Sequence, residues 1–411
     1  VLENSGLYQE IGVKILIEKS LVTENDGCLR VHDMLQEMGK EIVFSESPDD
    51  AGKRSRIWSL EDANHVLGNK RGTEAIRGIV VRFDKPYVIR LDPEAFSRMS
   101  NLKLLVIRHF SHGQLNLHGL SSLSSTLKVI RWERYSLDFL PSQTQFNELI
   151  DLRMRHSKLK ELWRGTQFLQ SLKVIDLRHS TNLIRTPNFD TTPNLQELIL
   201  EGCTKLIEVH HSLGQHKNLV IVNFKDCKSI KTLPTKFEMN RLEKLVLSGC
   251  SNVRKLPKFG KGMKHLSRLD LEETAISKLP QSLVNLTGLS ILNLRKCKNL
   301  VCLPSNFQKL KAIKEIRISD CSRFSKLPEN LNENEALELL HMDSTAIKEV
   351  PPSLTNLKVL TLWGVNSYAQ LSSSSWNRCS LLKRALRLQR PSTPATFLWS
   401  PSLSNLSSLV S

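Results

Sequence analysis

From about position 100 the chain repeats itself. "LQELILEGCTKLIEV" from Leu195, "LVIVNFKDCKSIKTLP" from Leu219, "LEKLVLSGCSNVRKLP" from Leu242 and "LSILNLRKCKNLVCLP" from Leu289 share the pattern L-x-x-L-x-L-x-x-C-x-x-L-x-x-L-P. Matching units start at Leu102, Leu127, Leu149, Leu172, Leu266, Ile313, Leu337 and Leu360, so the steps from Leu127 onward are 22, 23, 23, 24, 23, 24, 23, 24, 24 and 23 residues. A unit this short cannot bury its own apolar side, so it must stack on its neighbours, and the period alone selects a solenoid.

The pattern is that of a leucine-rich repeat. In each L-x-L segment alternate residues point to opposite faces of a short strand, so Leu198 and Leu200 are expected inside and Glu197, Ile199 and Glu201 outside. Stacked strands make a parallel concave sheet over a leucine core. On the convex return, pairs such as Leu283 with Leu286, Phe307 with Leu310 and Leu354 with Leu357 supply further inward contacts. The fold class expected is α/β: a horseshoe-shaped leucine-rich-repeat solenoid, preceded by a partial winged-helix domain.

Five of the eight cysteines, Cys203, Cys227, Cys250, Cys297 and Cys321, fall at one repeat position. Sister repeats place Ser157, Ser180, Thr274 and Thr345 there, so the site calls for a small inward side chain and not for a metal ligand or a disulfide. No C-x-x-C occurs, and "HFSH" at 109–112 lacks partners for zinc.

The first hundred residues differ. Leu7, Ile11 and Ile15 stand at helical spacing, "SLVTE" and "CLRV" read as strands, and Asn25, Asp26 and Gly27 as their hairpin turn. Asp33 is expected to cap a following helix that has Gln36 three residues on and Val31, Met34, Leu35, Met38 and Ile42 along one face. Helix, two-stranded wing and helix form a winged-helix shape. Winged helices can read DNA, but this one presents only Lys40 as a base on its polar side.

"LVTENDGCLRVHDMLQEMGKEIVFSESPDDAGKRSRIW", from Leu21 to Trp58, resembles the end of the nucleotide-binding switch module of plant intracellular immune receptors of the TIR, nucleotide-binding, leucine-rich-repeat type. The family's Met-His-Asp stands here as Val31, His32, Asp33, and "EDANHVLGNK" and "GTEAIRGIVVRF" continue the likeness into the first repeats. Taken alone, His32 and Asp33 read as a loop residue and an N-cap. The resemblance implies instead that His32 reaches the phosphate end of bound ADP and that Asp33 braces the segment. It further implies ADP or ATP as cofactor of the intact receptor, a pathogen effector or guarded host protein as partner of the repeats, and intramolecular contacts with the receptor's nucleotide-binding and TIR domains. The expected location is cytoplasmic or nuclear.

The 411 residues contain no G-x-x-x-x-G-K-[ST], so the chain alone is not expected to hold nucleotide tightly. No catalytic constellation can be assembled, and the chain is read as a non-enzyme, a portion of a receptor whose TIR domain and phosphate loop lie outside it. The N-terminus has no leader pattern, and no stretch approaches the roughly 20 apolar residues of a membrane span. The expected divisions are a winged-helix end at 1–45 (the ARC2-like part of the nucleotide-binding module), a linker and repeat edge at 46–100, repeats at 101–364, a Ser-rich basic insertion at 365–400 and the start of a further repeat at 401–411. Two alternatives stay open: a free-standing repeat scaffold, which would carry a capped first repeat, and a receptor ectodomain, which would carry paired capping cysteines.

A formal net charge of +17 permits attraction to polyanions. The middle outward column of the sheet, however, reads Arg131, Arg153, Asp176, Ile199, Asn223, Val246, Asp270, Asn293, Arg317, His341, which is too mixed for a nucleic-acid stripe. Taken with the next column, it places Arg153, Arg155 and Arg178 toward one end and Asp270 with Glu272 further along. These five are the candidate partner-binding residues, with the basic end facing an acidic patch. The three arginines are expected to be free enough that reversing their charge would leave stability almost unchanged, and Val246→Asp, outward beside the inward Leu247, is expected to be tolerated.

Overall fold

The structure, a computed structural model, describes residues 10–25, 28–83, 90–109, 116–117, 119–347, 357 and 359–361. The expectations for Leu7, Asp26, Gly27, Leu354 and the segments 365–400 and 401–411 fall outside the described residues. The opening elements are α1 (Glu10–Glu18), β1 (Val22–Asn25), β2 (Cys28–Val31), α2 (Asp33–Glu46), β3 (Arg56–Ile57), α3 (Leu60–Gly68), β4 (Gly78–Phe83), β5 (Arg90–Leu91), β6 (Leu104–His109) and β7 (Asn116–Leu117). The chain continues with β8 (Val129–Trp132), β9 (Asp151–Arg153), β10 (Val174–Asp176), β11 (Glu197–Ile199), β12 (Ile221–Asn223), β13 (Lys236–Phe237) and β14 (Lys244–Val246). It ends with β15 (Lys258–Phe259), β16 (Arg268–Asp270), β17 (Ile291–Asn293), β18 (Glu315–Arg317), β19 (Leu339–His341) and β20 (Val359–Thr361).

β1 and β2 pair antiparallel with Val22 opposite Val31, the wing expected from the sequence. One 14-stranded sheet, in the order β20-β19-β18-β17-β16-β14-β12-β11-β10-β9-β8-β6-β4-β3, then runs through the repeats. Its pairs are parallel and in step, Ile175 beside Leu198 beside Val222 beside Leu245. The inward leucines Leu198, Leu200, Leu245 and Leu247 are buried, as are Leu283, Leu286, Phe307 and Leu310 on the return, so one continuous core results.

The thiol column proves to be a donor column. Cys227 Sγ donates to the Leu200 carbonyl at 3.0 Å and Cys250 Sγ to the Phe224 carbonyl at 3.0 Å, each on the preceding rung. Ser180 Oγ donates to the Met154 carbonyl in the same way at 3.0 Å. A small side chain with one proton to give fits there. Burial pushes the Cys203 and Cys250 thiols up to about 12, so they stay protonated donors.

One residue per repeat, just before that donor, takes the left-handed conformation, among them His156, His179, Gly202, Asp226 and Gly249. Its N–H donates to the next rung, as from Gly202 to the Lys225 carbonyl at 2.7 Å, so each turn closes on its neighbour. Gly202, at φ +73°, also lies against a ring: a Cβ there would come 2.4 Å from His179 Nδ1.

One expectation of the repeat register needs correction. Leu360 does not begin a unit: it pairs with Leu340 in the fourth position of the repeat, and the buried Leu357 takes the first, which shortens that step by three residues. The apolar stripe along α2 is left uncovered by the described residues. Met34 is 70% exposed, Met38 57% and Ile42 64%, and no residue of α2 is buried. The helix is tied down at its end, where Glu46 accepts from Ser55 and Arg54 stacks over Phe44 at 4.6 Å.

Candidate recognition surface and switch residues

The cap of α2 is His32, not Asp33. His32 sits at φ −59°, ψ 140°, its Nδ1 accepts from the Met34 N–H at 3.2 Å, and Asp33 is the first helical residue. Gln36 reaches back, its Nε2 donating to the Val31 carbonyl at 3.0 Å. Imidazole can serve as an acceptor at an N-cap as a carboxylate does, which is why the sequence rule chose the wrong neighbour. With Nδ1 accepting, a neutral ring carries its proton on Nε2, which leaves an N–H donor on a residue that is itself exposed. Asp33 is also exposed.

On the concave face the structure brings Arg153, Arg155 and Arg178 together and adds a fourth arginine, Arg131. It also adds two carboxylates that organise them, Asp151 and Asp176, which are 1% and 0% exposed. Asp151 accepts from Arg131 Nη2 at 2.6 Å and from Arg153 Nε at 2.7 Å. Asp176 accepts from Arg155 Nε at 2.9 Å, from Arg178 Nη2 at 2.9 Å and from the Arg178 backbone N–H at 3.1 Å. Arg153 Nη1 lies 4.0 Å from Asp176, so it stands between the two acids. Burial alone would raise the Asp176 carboxyl, but hydrogen bonds from Arg178 and Arg155 outweigh it and hold the carboxyl below its ordinary value.

These arginines are therefore not a free cationic patch. Reversing their charge would leave buried carboxylates facing new ones, contrary to the expectation of unchanged stability. Asp176 stood in the outward column from the start, but nothing in a one-dimensional pattern shows which outward residues a concave sheet crowds. Val246, at 6% exposed, is crowded in the same way.

Asp270 and Glu272 lie six rungs past Arg131, joined by Asn293 Nδ2, which donates to Asp270 Oδ1 at 2.9 Å and to Glu272 Oε2 at 3.2 Å. With Glu201, Lys225, Lys244 and Arg268 they line a shallow depression of about 460 Å³. Arg268 pairs with Asp270 at 3.6 Å and Lys225 with Glu201 at 3.3 Å, so this region is of mixed sign. The structure thus separates two polar neighbourhoods along one sheet, arginine-rich near the start and acid-containing in the middle.

A leucine-rich-repeat solenoid carrying a winged-helix end is the class that the fold defines. Residues 1–47 match the family described as "Disease resistance protein Roq1-like, winged-helix domain", and residues 238–327 match "Disease resistance protein RPS4B-like, leucine-rich repeats". The chain is 34% identical to TMV resistance protein N of Nicotiana glutinosa over 366 residues, 88% of this chain and 31% of that protein. It is 36% identical to disease resistance-like protein DSC1 of Arabidopsis thaliana, over 90% of this chain and 32% of that protein. With disease resistance protein RPS4B of Arabidopsis thaliana the identity is 30%, over 90% of this chain and 31% of the relative. The chain corresponds to the winged-helix and leucine-rich-repeat portion of plant TIR, nucleotide-binding, leucine-rich-repeat disease resistance proteins, and it spans about a third of the length of these relatives.

Proposed function

We propose that this chain is the recognition arm of an intracellular plant immune receptor, non-catalytic in itself. Its concave sheet docks a pathogen-derived protein or a guarded host protein through Arg153, Arg155 and Arg178 at one end and Asp270 with Glu272 in the middle. Its winged-helix end belongs to an ADP-dependent switch, and the same sheet contacts the switch and TIR domains of the receptor at rest. The observation that carries this reading is relatedness to plant disease resistance proteins along nine tenths of the chain. Among the described residues no helix is long and apolar enough to cross a membrane.

In this reading the Nε2–H of His32 donates to the phosphate end of ADP in the intact receptor, and Asp33 holds the first turn of α2 in register. The phosphates of a diphosphate are acceptors only, so a donor on a rigid cap suits them. The chain alone offers no phosphate loop and binds ADP weakly or not at all. Deleting the gene that encodes this chain and challenging the plant with a panel of its pathogens tests the reading: resistance to at least one pathogen is lost. Unchanged resistance across the panel contradicts it.

A further inference from the structure

In the outward column that holds Arg153 and Asp176, later rungs manage with Ile199, Asn223 and Val246, and in the column that holds Asp151 later rungs include Val174 and Ile221. An apolar or neutral residue therefore suffices for the solenoid there. Burying two carboxylates and surrounding them with four guanidinium groups is an expensive way to do the same structural task, because desolvating ions opposes folding even when they are paired. Stability does not account for the cluster.

Its geometry points to a ligand. Each guanidinium has five N–H donors, and the buried acids use only some of them: one each from Arg153 and Arg155, two each from Arg131 and Arg178. The side chains remain 21% to 35% exposed, so unspent donors face the bowl. Held by Asp151 and Asp176, the forks lose little freedom on meeting an anion.

Resting on the reading of the concave face as a docking surface, we propose that Arg131, Arg153, Arg155 and Arg178 form a preorganised receptor for a side-chain carboxylate on a docking protein, with Asp151 and Asp176 as positioning residues. A protein carboxylate fits better than a nucleic-acid strand for two reasons. On the rungs from β8 to β14, which hold the cluster and its neighbours, no outward position is a Phe, Tyr or Trp on which a base could stack. Glu133 stands in the first of these rungs and Glu197 in the rung that follows them, where their charges repel an extended polyanion, and Glu197 offers a carboxylate to a basic residue beside the docking acid. The partner surface expected is an Asp or Glu with a Lys or Arg about one rung, roughly 5 Å, away.

The test uses the full chain with isotopically labelled arginine and follows the Nε–Hε signals by NMR while N-acetylglutamate α-amide is added. The expected result is a saturable shift of the Arg153, Arg155 and Arg178 signals that the glutamine analogue does not produce. The double variant Arg155→Lys with Arg178→Lys keeps both charges beside Asp176 and removes the forks. It is expected to melt near the parent temperature and to bind the probe at least fivefold more weakly, read at Arg153. Equal affinity of the lysine variant, no shift, or an equal shift of all arginines overturns the proposal. So does a 12-nucleotide single strand that binds the same signals more tightly than the glutamate probe. Probe binding in a chain whose loss leaves resistance intact would overturn the immune reading and leave the carboxylate site standing; lost resistance without probe binding would do the reverse.

Discussion

Helix α2 and the repeat strands carry the same kind of signal, apolar residues at the period of their element, and meet opposite fates. Leu198, Val222, Leu245 and Leu269 are buried by the rungs on either side. Met34, Met38 and Ile42, one turn apart along α2, are more than half exposed. Periodicity reports which residues have an apolar face to cover. It does not report whether the same chain provides the cover. Repeats cover one another, so the inference closes on itself, whereas a single helix needs an unlike partner.

The contrast is sharpest under charge insertion. Leu247→Asp puts a carboxylate at a fully buried position with no counterion, and a loss of several kcal/mol is expected as a drop in the denaturant midpoint. Next in size is the simultaneous change of Arg153, Arg155 and Arg178 to Glu. Because Asp151 and Asp176 are buried, stripping their counterions is expected to remove about 3–5 kcal/mol, and retention of the parent melting temperature would show that these pairs are ornamental. Val246→Asp should fall lower, at about 1–2 kcal/mol, since Val246 is outward but crowded between Asn223 and Asp270 in the sheet. Met38→Glu on α2 should change the melting temperature least, within about 0.5 kcal/mol of stability. A large loss there would mean that the stripe is covered after all.

Much of the solenoid was legible because its signal is repeated: register, inward columns and the small-residue column each recur many times, and each recurrence checks the others. The unit at Leu360 slipped because its step is short and no later unit among the described residues corrects it. The carboxylates beneath the arginines were not legible, since Asp151 and Asp176 sit at outward positions and it is arginines of the same and the preceding rung that fold onto them. The cap was misassigned by one residue because His32 and Asp33 both offer an acceptor, and only the backbone angles choose between them. The left-handed position before each donor, filled by residues as unlike as His179, Gly202, Asp226 and Lys296, leaves no residue signature to find.

The central claim is that stacking covers the repeat strands while α2 has no comparable cover within the described residues. Amide hydrogen exchange on the full chain tests it directly, because protection tracks the free energy of local opening. The expected result is that amides of β11, β12 and β14 exchange orders of magnitude more slowly than those of α2 between Gln36 and Phe44. Equal protection of α2 and these strands would contradict the account.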